Sequence, residues 1–345
     1  MPTFALKGAL ADVAQLEARA AALVAMGRPV VLELHTFGAR DVDTAQGRAA
    51  SRAAVARLRE RAPDARLVLH VPVQQVPIVT EVFFDVGQCE RAIALAGEIG
   101  AEALVIHRYG ALVLGNRPPR IGSKAEAVAR FESIVRDLAR RAPDLTLLVE
   151  NIGHYALLPR DGTSFLAGPI DHFFPWEIAA FRDFCAREGI GNVAPFVDVA
   201  HATLSSNLFN RKRACPAALA GDPRAAWIDA DDLDRAARLH PFDFVDPAMP
   251  WLHVSDAVLL GVAEVADPTL PEPRLVEGIV SEGLEIGTGA LPFAALAPRL
   301  GAAATLVVEV EPGPGESHVE NGAQVRSLAR LAALLGDAPR TVGDA

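Results

Sequence analysis

Three runs decide the fold: Arg66-Leu67-Val68-Leu69-His70, Ala103-Leu104-Val105-Ile106-His107 and Thr146-Leu147-Leu148-Val149-Glu150. Each is a short, β-rich apolar run closed by a side chain that can bind a metal, and each is too short to be a typical helix. Between them lie longer Ala/Leu/Arg-rich segments of helical period, Gln88–Ile99 and Lys124–Arg141. In the first, Ala92, Ile93, Leu95, Ala96 and Ile99 form one apolar stripe, and Gly100 stops the helix. A β-α-β-α-β succession of this kind builds a parallel sheet.

The same alternation extends in both directions. Strands are expected at Thr3–Leu6, Val30–Leu34, Arg66–His70, Ala103–His107, Thr146–Glu150, Ala194–Asp198, Trp251–His253 and Thr305–Glu309. Helices are expected at Ala9–Ala25, Thr44–Arg61, Gln88–Ile99, Lys124–Arg141, Glu177–Glu188, Asp231–Leu239, Pro292–Leu300 and Gly322–Leu335. Eight strand–helix repeats predict a (β/α)8 TIM barrel, a single domain over residues 1–345 with a loose tail at 336–345. An open doubly wound sheet would carry a Gly-rich phosphate loop after its first strand, and Lys7-Gly8-Ala9 is not one. The connections after strands five (151–176), six (199–230) and seven (254–290) are long, and long loops at one end of a barrel form lids and substrate walls.

Composition narrows the function. Hydrophobic residues make up 51% of the 345 and charged residues 22%, enough for a large core. The net charge of −10 argues against non-specific binding of nucleic acid and suits metal cations and small polar substrates. Cys89, Cys185 and Cys215 are far apart with no C-x-x-C spacing, which excludes a cysteine zinc site and argues against a disulfide framework. No leader pattern begins the sequence and no apolar run reaches the ~20 residues that span a bilayer, so a cytoplasmic protein is expected.

The strand ends carry the chemistry. Successive strands finish on Glu33 (with His35), His70, His107, Glu150, Asp198 (with His201), His253 and Glu309 (with Glu311). In a barrel these ends converge on one mouth, where barrel enzymes keep their active sites. Several carboxylates packed there cannot all stay ionised without a cation between them. Mixed nitrogen and oxygen donors suit zinc, manganese, iron or cobalt rather than calcium.

With these residues in this order, the chain resembles the xylose isomerase-like barrels, which include sugar-phosphate isomerases, ketose 3-epimerases, inosose dehydratases and apurinic endonucleases. The resemblance runs from about residue 30 to residue 335. It rests on Leu69-His70, Val105-Ile106-His107, Leu148-Val149-Glu150-Asn151, Asp198-Val199-Ala200-His201, His253-Val254-Ser255-Asp256, Gly287-Thr288-Gly289 and Val308-Glu309. It implies that Glu150, Asp198, His253 and Glu309 hold the metal shared across the superfamily. It also implies that His70 and His107, bridged by Glu150, hold a second metal or face substrate, so that one or two divalent ions (Mn, Zn, Fe, Co or Mg) bind per chain. His201 is similar to the histidine that binds substrate in epimerases or a third zinc in endonucleases. The endonucleases' Asp-x-His element falls here on Ser281, Glu282 and Gly283, so a third zinc requires Glu282, Glu285 or Asp256 to substitute. Many relatives are homo-oligomers.

The expected activity is divalent-metal-dependent isomerisation, epimerisation or dehydration of a sugar or polyol. Glu150 and Glu309 are the proton-transferring pair, His201 or His107 orients hydroxyls, and Trp176 with Phe173 and Phe174 walls the sugar face. A dinuclear phosphate-ester hydrolase is the alternative, with Arg211 of Arg211-Lys212-Arg213 docking phosphate from the loop after strand six. A multinuclear iron oxidase is a third reading, kept open by Glu33 and His35. The roles of Asp256 (orienting His253 or capping a turn) and Glu311 stay open.

Overall fold

A computed structural model describes residues 2–72, 86–108, 111–114, 123–153, 156–157, 165–168 and 173–336. Eight parallel strands close into a barrel: Thr3–Ala9, Val31–His35, Arg66–His70, Ala103–His107, Thr146–Glu150, Val193–Asp198, Trp251–Val254 and Thr305–Val308. Each pairs with its neighbours in the repeat order, and the last pairs with the first, Thr3 opposite Thr305. This is a (β/α)8 TIM barrel. The expected tail at 336–345 lies outside the described residues except for Gly336.

Strand alternation sorts the core into two compartments. Outward-facing Leu6, Leu32, Leu34, Leu67, Leu69, Leu104, Ile106, Leu147, Val149, Leu252 and Leu306 pack under the helices. Inward-facing Ala5, Val31, Val68, Ala103, Val105, Leu148, Phe196, Trp251 and Val307 fill the barrel. Two residues beyond these interior side chains, on the same face, stand Lys7, Glu33, His70, His107, Glu150, Asp198, His253 and Glu309. The apolar plug is thus the floor of the polar mouth.

Caps set the helix starts. Asp12, Thr44 and Ser123 accept from the backbone N–H of Gln15, Gly47 and Glu126. The first helix therefore begins at Val13 rather than Ala9, because the first strand runs on to Ala9. Two expected helices are shorter or absent. Asp231–Leu239 is reduced to Ala230–Arg235, and Pro292–Leu300 is two 3-10 turns, Phe293–Ala295 and Ala297–Arg299, the second holding Pro298. Among the described residues no helix is long and apolar enough to cross a membrane.

The long connections contain structure of their own. Val199–Ala214 is a helix, as are Val262–Ala266 and Glu272–Val280. Ala111–Leu114, Phe165–Gly168 and Ala156–Leu157 form a small antiparallel sheet beside the mouth-side ends of strands four and five. The basic triplet Arg211-Lys212-Arg213 is the last turn of the first helix, not a loop. Arg211 is buried, about 20 Å of helix beyond Asp198, and donates to the carbonyls of Val265 and Asp267. Lys212 donates to the carbonyls of Ala225 and Ile228. The phosphate-docking role expected of Arg211 does not fit this placement: its guanidinium staples backbone. Arg211→Ala should destabilise the fold by about 2–3 kcal/mol and leave substrate KM unchanged. A variant with normal urea stability and a raised KM would restore the substrate role.

Candidate metal centre

The strand register places the polar side chains in lateral pairs. His35 lies opposite His70, His107 opposite Glu150, and Asp198 opposite His253. The imidazoles of His35 and His70 stack with centroids 4.5 Å apart, and His107 meets His70 edge-on at 4.9 Å. Phe196 supports His253 from one side.

Glu150 is the hub. Its Oε1 lies 3.1 Å from His253 Nδ1 and 3.4 Å from His201 Nδ1, and its Oε2 lies 3.3 Å from both His70 Nε2 and His107 Nε2. Glu309 Oε2 meets His253 Nδ1 at 2.6 Å, and Asp198 Oδ2 is 3.8 Å from the same nitrogen. Donor atoms of Glu150, Asp198, His253 and Glu309 fall within 4.8 Å of one another, and those of His70, His107 and Glu150 do likewise. The third such group is Glu33, His35 and His70. The six expected metal residues thus come together, and these groups are positioned to bind a metal.

Neighbouring groups hold these donors in place. His253 Nε2 is 2.8 Å from Glu33 Oε2, which also accepts from Trp251 Nε1 at 2.8 Å. That leaves His253 Nδ1 to face the carboxylates, the carboxylate–histidine–metal arrangement. Asn151 clamps Asp198 by accepting from its N–H and donating to its carbonyl, and Asp198 Oδ1 accepts from His201 N. His201 Nδ1 is 2.9 Å from the Asn151 carbonyl and Nε2 is 3.0 Å from Glu282 Oε2. Glu285 is taken by Arg326, and Asp256 by backbone, so Glu282 is the residue that stands where a partner of His201 was open. No three-ligand group includes His201 among the described residues.

Asp256 neither touches nor orients His253. Its carboxylate accepts from the N–H of Ala257, Gly287, Gly289 and Leu291, so it shapes the glycine loop. The wall expected of Phe173, Phe174 and Trp176 is internal packing. Phe173 and Phe174 are fully buried against Phe181 and Phe209, and Trp176 donates to Asp232.

Lys7 went unremarked as a site residue, yet its Nζ bridges Glu309 and Glu311 at 3.0 and 2.9 Å. The signal was present: Lys7 is two residues beyond inward-facing Ala5. Glu311 is accordingly the outer partner of Lys7.

The electrostatics are those of a cation site. Burial pushes Glu150 and Glu309 up, but His253 and His107 around the first, and Lys7 and His253 around the second, hold both well below the usual carboxylate range. Burial also opposes charge on Glu33, and His253 outweighs it, bringing Glu33 to about 2. Asp198 is pushed up to about 6, chiefly by burial, with Glu150 and Glu309 adding to the push. Burial opposes charge on His253, but Glu33, Glu150 and Glu309 prevail and raise it well above the histidine range.

These donors fit a divalent ion. Glu33 Oε1 and His35 Nε2 are buried without hydrogen-bond partners, although 3.3 Å apart, and nitrogen and carboxylate donors face one another across spaces of ligand size. Ligands must be deprotonated to bind. Zinc uptake at neutral pH should therefore release about one proton, from His253. Below about pH 6 a further proton, from Asp198, should be released and affinity should fall. Calorimetric titrations in buffers of different ionisation enthalpy read this directly, and proton-neutral binding would contradict it.

No protein-family model matches the chain, and no curated protein matches it. Solved structures do. An L-ribulose 3-epimerase superposes with a TM-score of 0.52 at 14% identity, over 97% of this chain and 95% of that one. A D-allulose 3-epimerase from Methylomonas sp. gives 0.53 at 13% identity, over 97% and 98%. A xylose isomerase domain protein from Alicyclobacillus acidocaldarius subsp. acidocaldarius gives 0.50 at 15% identity, over 97% and 99%. The likeness is one of fold: these structures share the barrel over nearly the whole of both chains.

Proposed function

We propose that the protein is a divalent-metal-dependent isomerase or epimerase, or a dehydratase, of a small sugar or polyol, with residues 1–345 acting as one barrel unit. The observation that carries this reading is the pairing of two ionised carboxylates, Glu150 and Glu309, that both face His253 Nδ1, the second of them lining a small cavity at the barrel mouth. That cavity, of about 90 Å³, is lined by Lys7, Asp198, His201, Ser255, Glu282, Gly283, Glu309 and Glu311. A neighbouring cavity of about 210 Å³ shares Lys7 and Glu311 with it and is also lined by His35, Phe37 and His318. Small, polar, hydroxyl-matching space suits a polyhydroxylated substrate, and the structural likeness to two ketose 3-epimerases points the same way.

Bound at Glu150, Asp198, His253 and Glu309, a metal ion would supply Lewis-acid polarisation of a substrate carbonyl and its neighbouring hydroxyl. The chain's own groups do the rest. Glu150 and Glu309, both ionised, are suited to take the proton alpha to the carbonyl from one face and return one from the other. Lys7 sits where it can donate to an oxygen that gains negative charge, and His201, braced by Asn151 and Glu282, orients a hydroxyl.

Hydrolysis of a phosphate ester is the second reading, favoured by the His70–His107–Glu150 group. It is the weaker one: among the described residues the cation facing the 90 Å³ cavity is Lys7, already shared by two carboxylates. The test is incubation of metal-loaded protein with a panel of ketoses and polyols in D2O. One carbon-bound deuterium per turnover, abolished by chelator, supports the proposal. No exchange with any member, alongside hydrolysis of a phosphate ester, overturns it.

A further inference from the structure

We propose that a second cation has two alternative seats in this mouth, an outer one made by His70, His107 and Glu150 and an inner one made by Glu33, His35 and His70, and that His70 serves only one at a time. This rests on the metal-binding part of the reading above and not on its sugar chemistry.

His70 has one lone pair to give. His70 Nδ1 lies 2.7 Å from the Val71 carbonyl oxygen, an acceptor, so Nδ1 carries the proton. Only Nε2 remains as a ligand, and an imidazole nitrogen has one lone pair to give. Nε2 is 3.3 Å from Glu150 Oε2 on the outer side, and His70 also belongs to the donor group of Glu33 and His35, whose atoms lie within 4.8 Å of one another.

The inner seat has donors waiting. Glu33 is fully buried, and its Oε2 is spent on Trp251 Nε1 and His253 Nε2. Its Oε1 has no hydrogen-bond partner, nor does His35 Nε2 beside it. The two atoms face each other at 3.3 Å without hydrogen-bond geometry, and a cation between them would give both a partner. The outer seat has its own advantage, since Glu150 already faces both of its histidines there.

The two seats offer the same donor set, two imidazole nitrogens and one carboxylate oxygen. They therefore prefer the same ions, of the zinc, cobalt or ferrous class, and differ only in geometry and solvation. The expectation is two ions per chain in total: one in the Glu150–Asp198–His253–Glu309 site and one divided between the seats.

The test is zinc content per chain by elemental analysis, after loading with Zn²⁺ and desalting, with circular dichroism as the fold control. Wild type, His107→Ala and His35→Ala should each hold about two zinc ions. His70→Ala and the double variant His35→Ala/His107→Ala should each hold about one. The Asn versions of the same variants serve where an Ala variant fails to fold. A fall to one in His107→Ala alone removes the inner seat and overturns the proposal. Three zinc ions in wild type, or two in the double variant, overturn the sharing of His70. One zinc in wild type that no histidine variant changes also overturns it, while leaving the four-ligand site intact. No zinc in any protein defeats the metal-centre reading itself.

Discussion

Glu150→Gln should lower turnover by about 10³-fold and release at least one metal ion per chain. Four histidines, His70, His107, His201 and His253, converge on its two oxygens. It belongs to two of the three donor groups, and it is one of the two proposed proton carriers. The amide keeps the shape but removes the charge and the basicity, so binding and chemistry fail together. Elemental analysis and the deuterium-exchange assay on the same preparation check both. A variant with full metal content and activity within about tenfold of wild type would remove Glu150 from the mechanism.

The second large effect lies outside the donor ring. Asp256→Ala should cost about 3–5 kcal/mol of folding stability while metal content stays at the wild-type level. The fully buried carboxylate accepts four backbone N–H groups, from Ala257, Gly287, Gly289 and Leu291. Without it those donors are left unpaired, and a charge-assisted bond contributes about 1.5–3 kcal/mol. The glycines are required there: Gly287 has φ +89°, and a Cβ on Gly289 would lie 2.4 Å from Asp256 Oδ1. The same stretch carries Glu282 to His201, so turnover should fall as well. Urea unfolding measures the effect, and a loss below about 1 kcal/mol would contradict it.

The barrel was legible because its strands are buried on both faces and read as continuous apolar runs. Arg66–His70, Ala103–His107 and Thr146–Glu150 begin and end where the sequence places them. The side-chain ring was legible for the same reason, each metal-capable residue being the first polar group after such a run. Lys7 needed one further step: period-two counting from Ala5 puts it inside the barrel, as counting from Val31 does Glu33 and His35.

The helix Val199–Ala214 was hidden by its environment. Val199 through Arg211 are all buried, so no polar stripe marks a solvent face. Its polar residues imitate a loop, yet they bind the chain laid over them. Asn207 donates to the carbonyls of Val258 and Gly278 and accepts from Leu260 N, and Asn210 exchanges two bonds with Leu239. Such pairing depends on tertiary contacts that no local pattern encodes. Glu282 was a candidate only because the Asp-x-His element of the endonucleases that the chain resembles falls on Ser281, Glu282 and Gly283. Its place beside His201 follows from the bridge between Asp256 and Leu284.

The most direct test of the metal centre is anomalous diffraction from crystals grown with Zn²⁺ or Mn²⁺. A peak is expected at about 2.0–2.2 Å from Glu150, Asp198, His253 Nδ1 and Glu309. A loaded crystal with no peak among these four residues, or with its ion bound elsewhere, would contradict it.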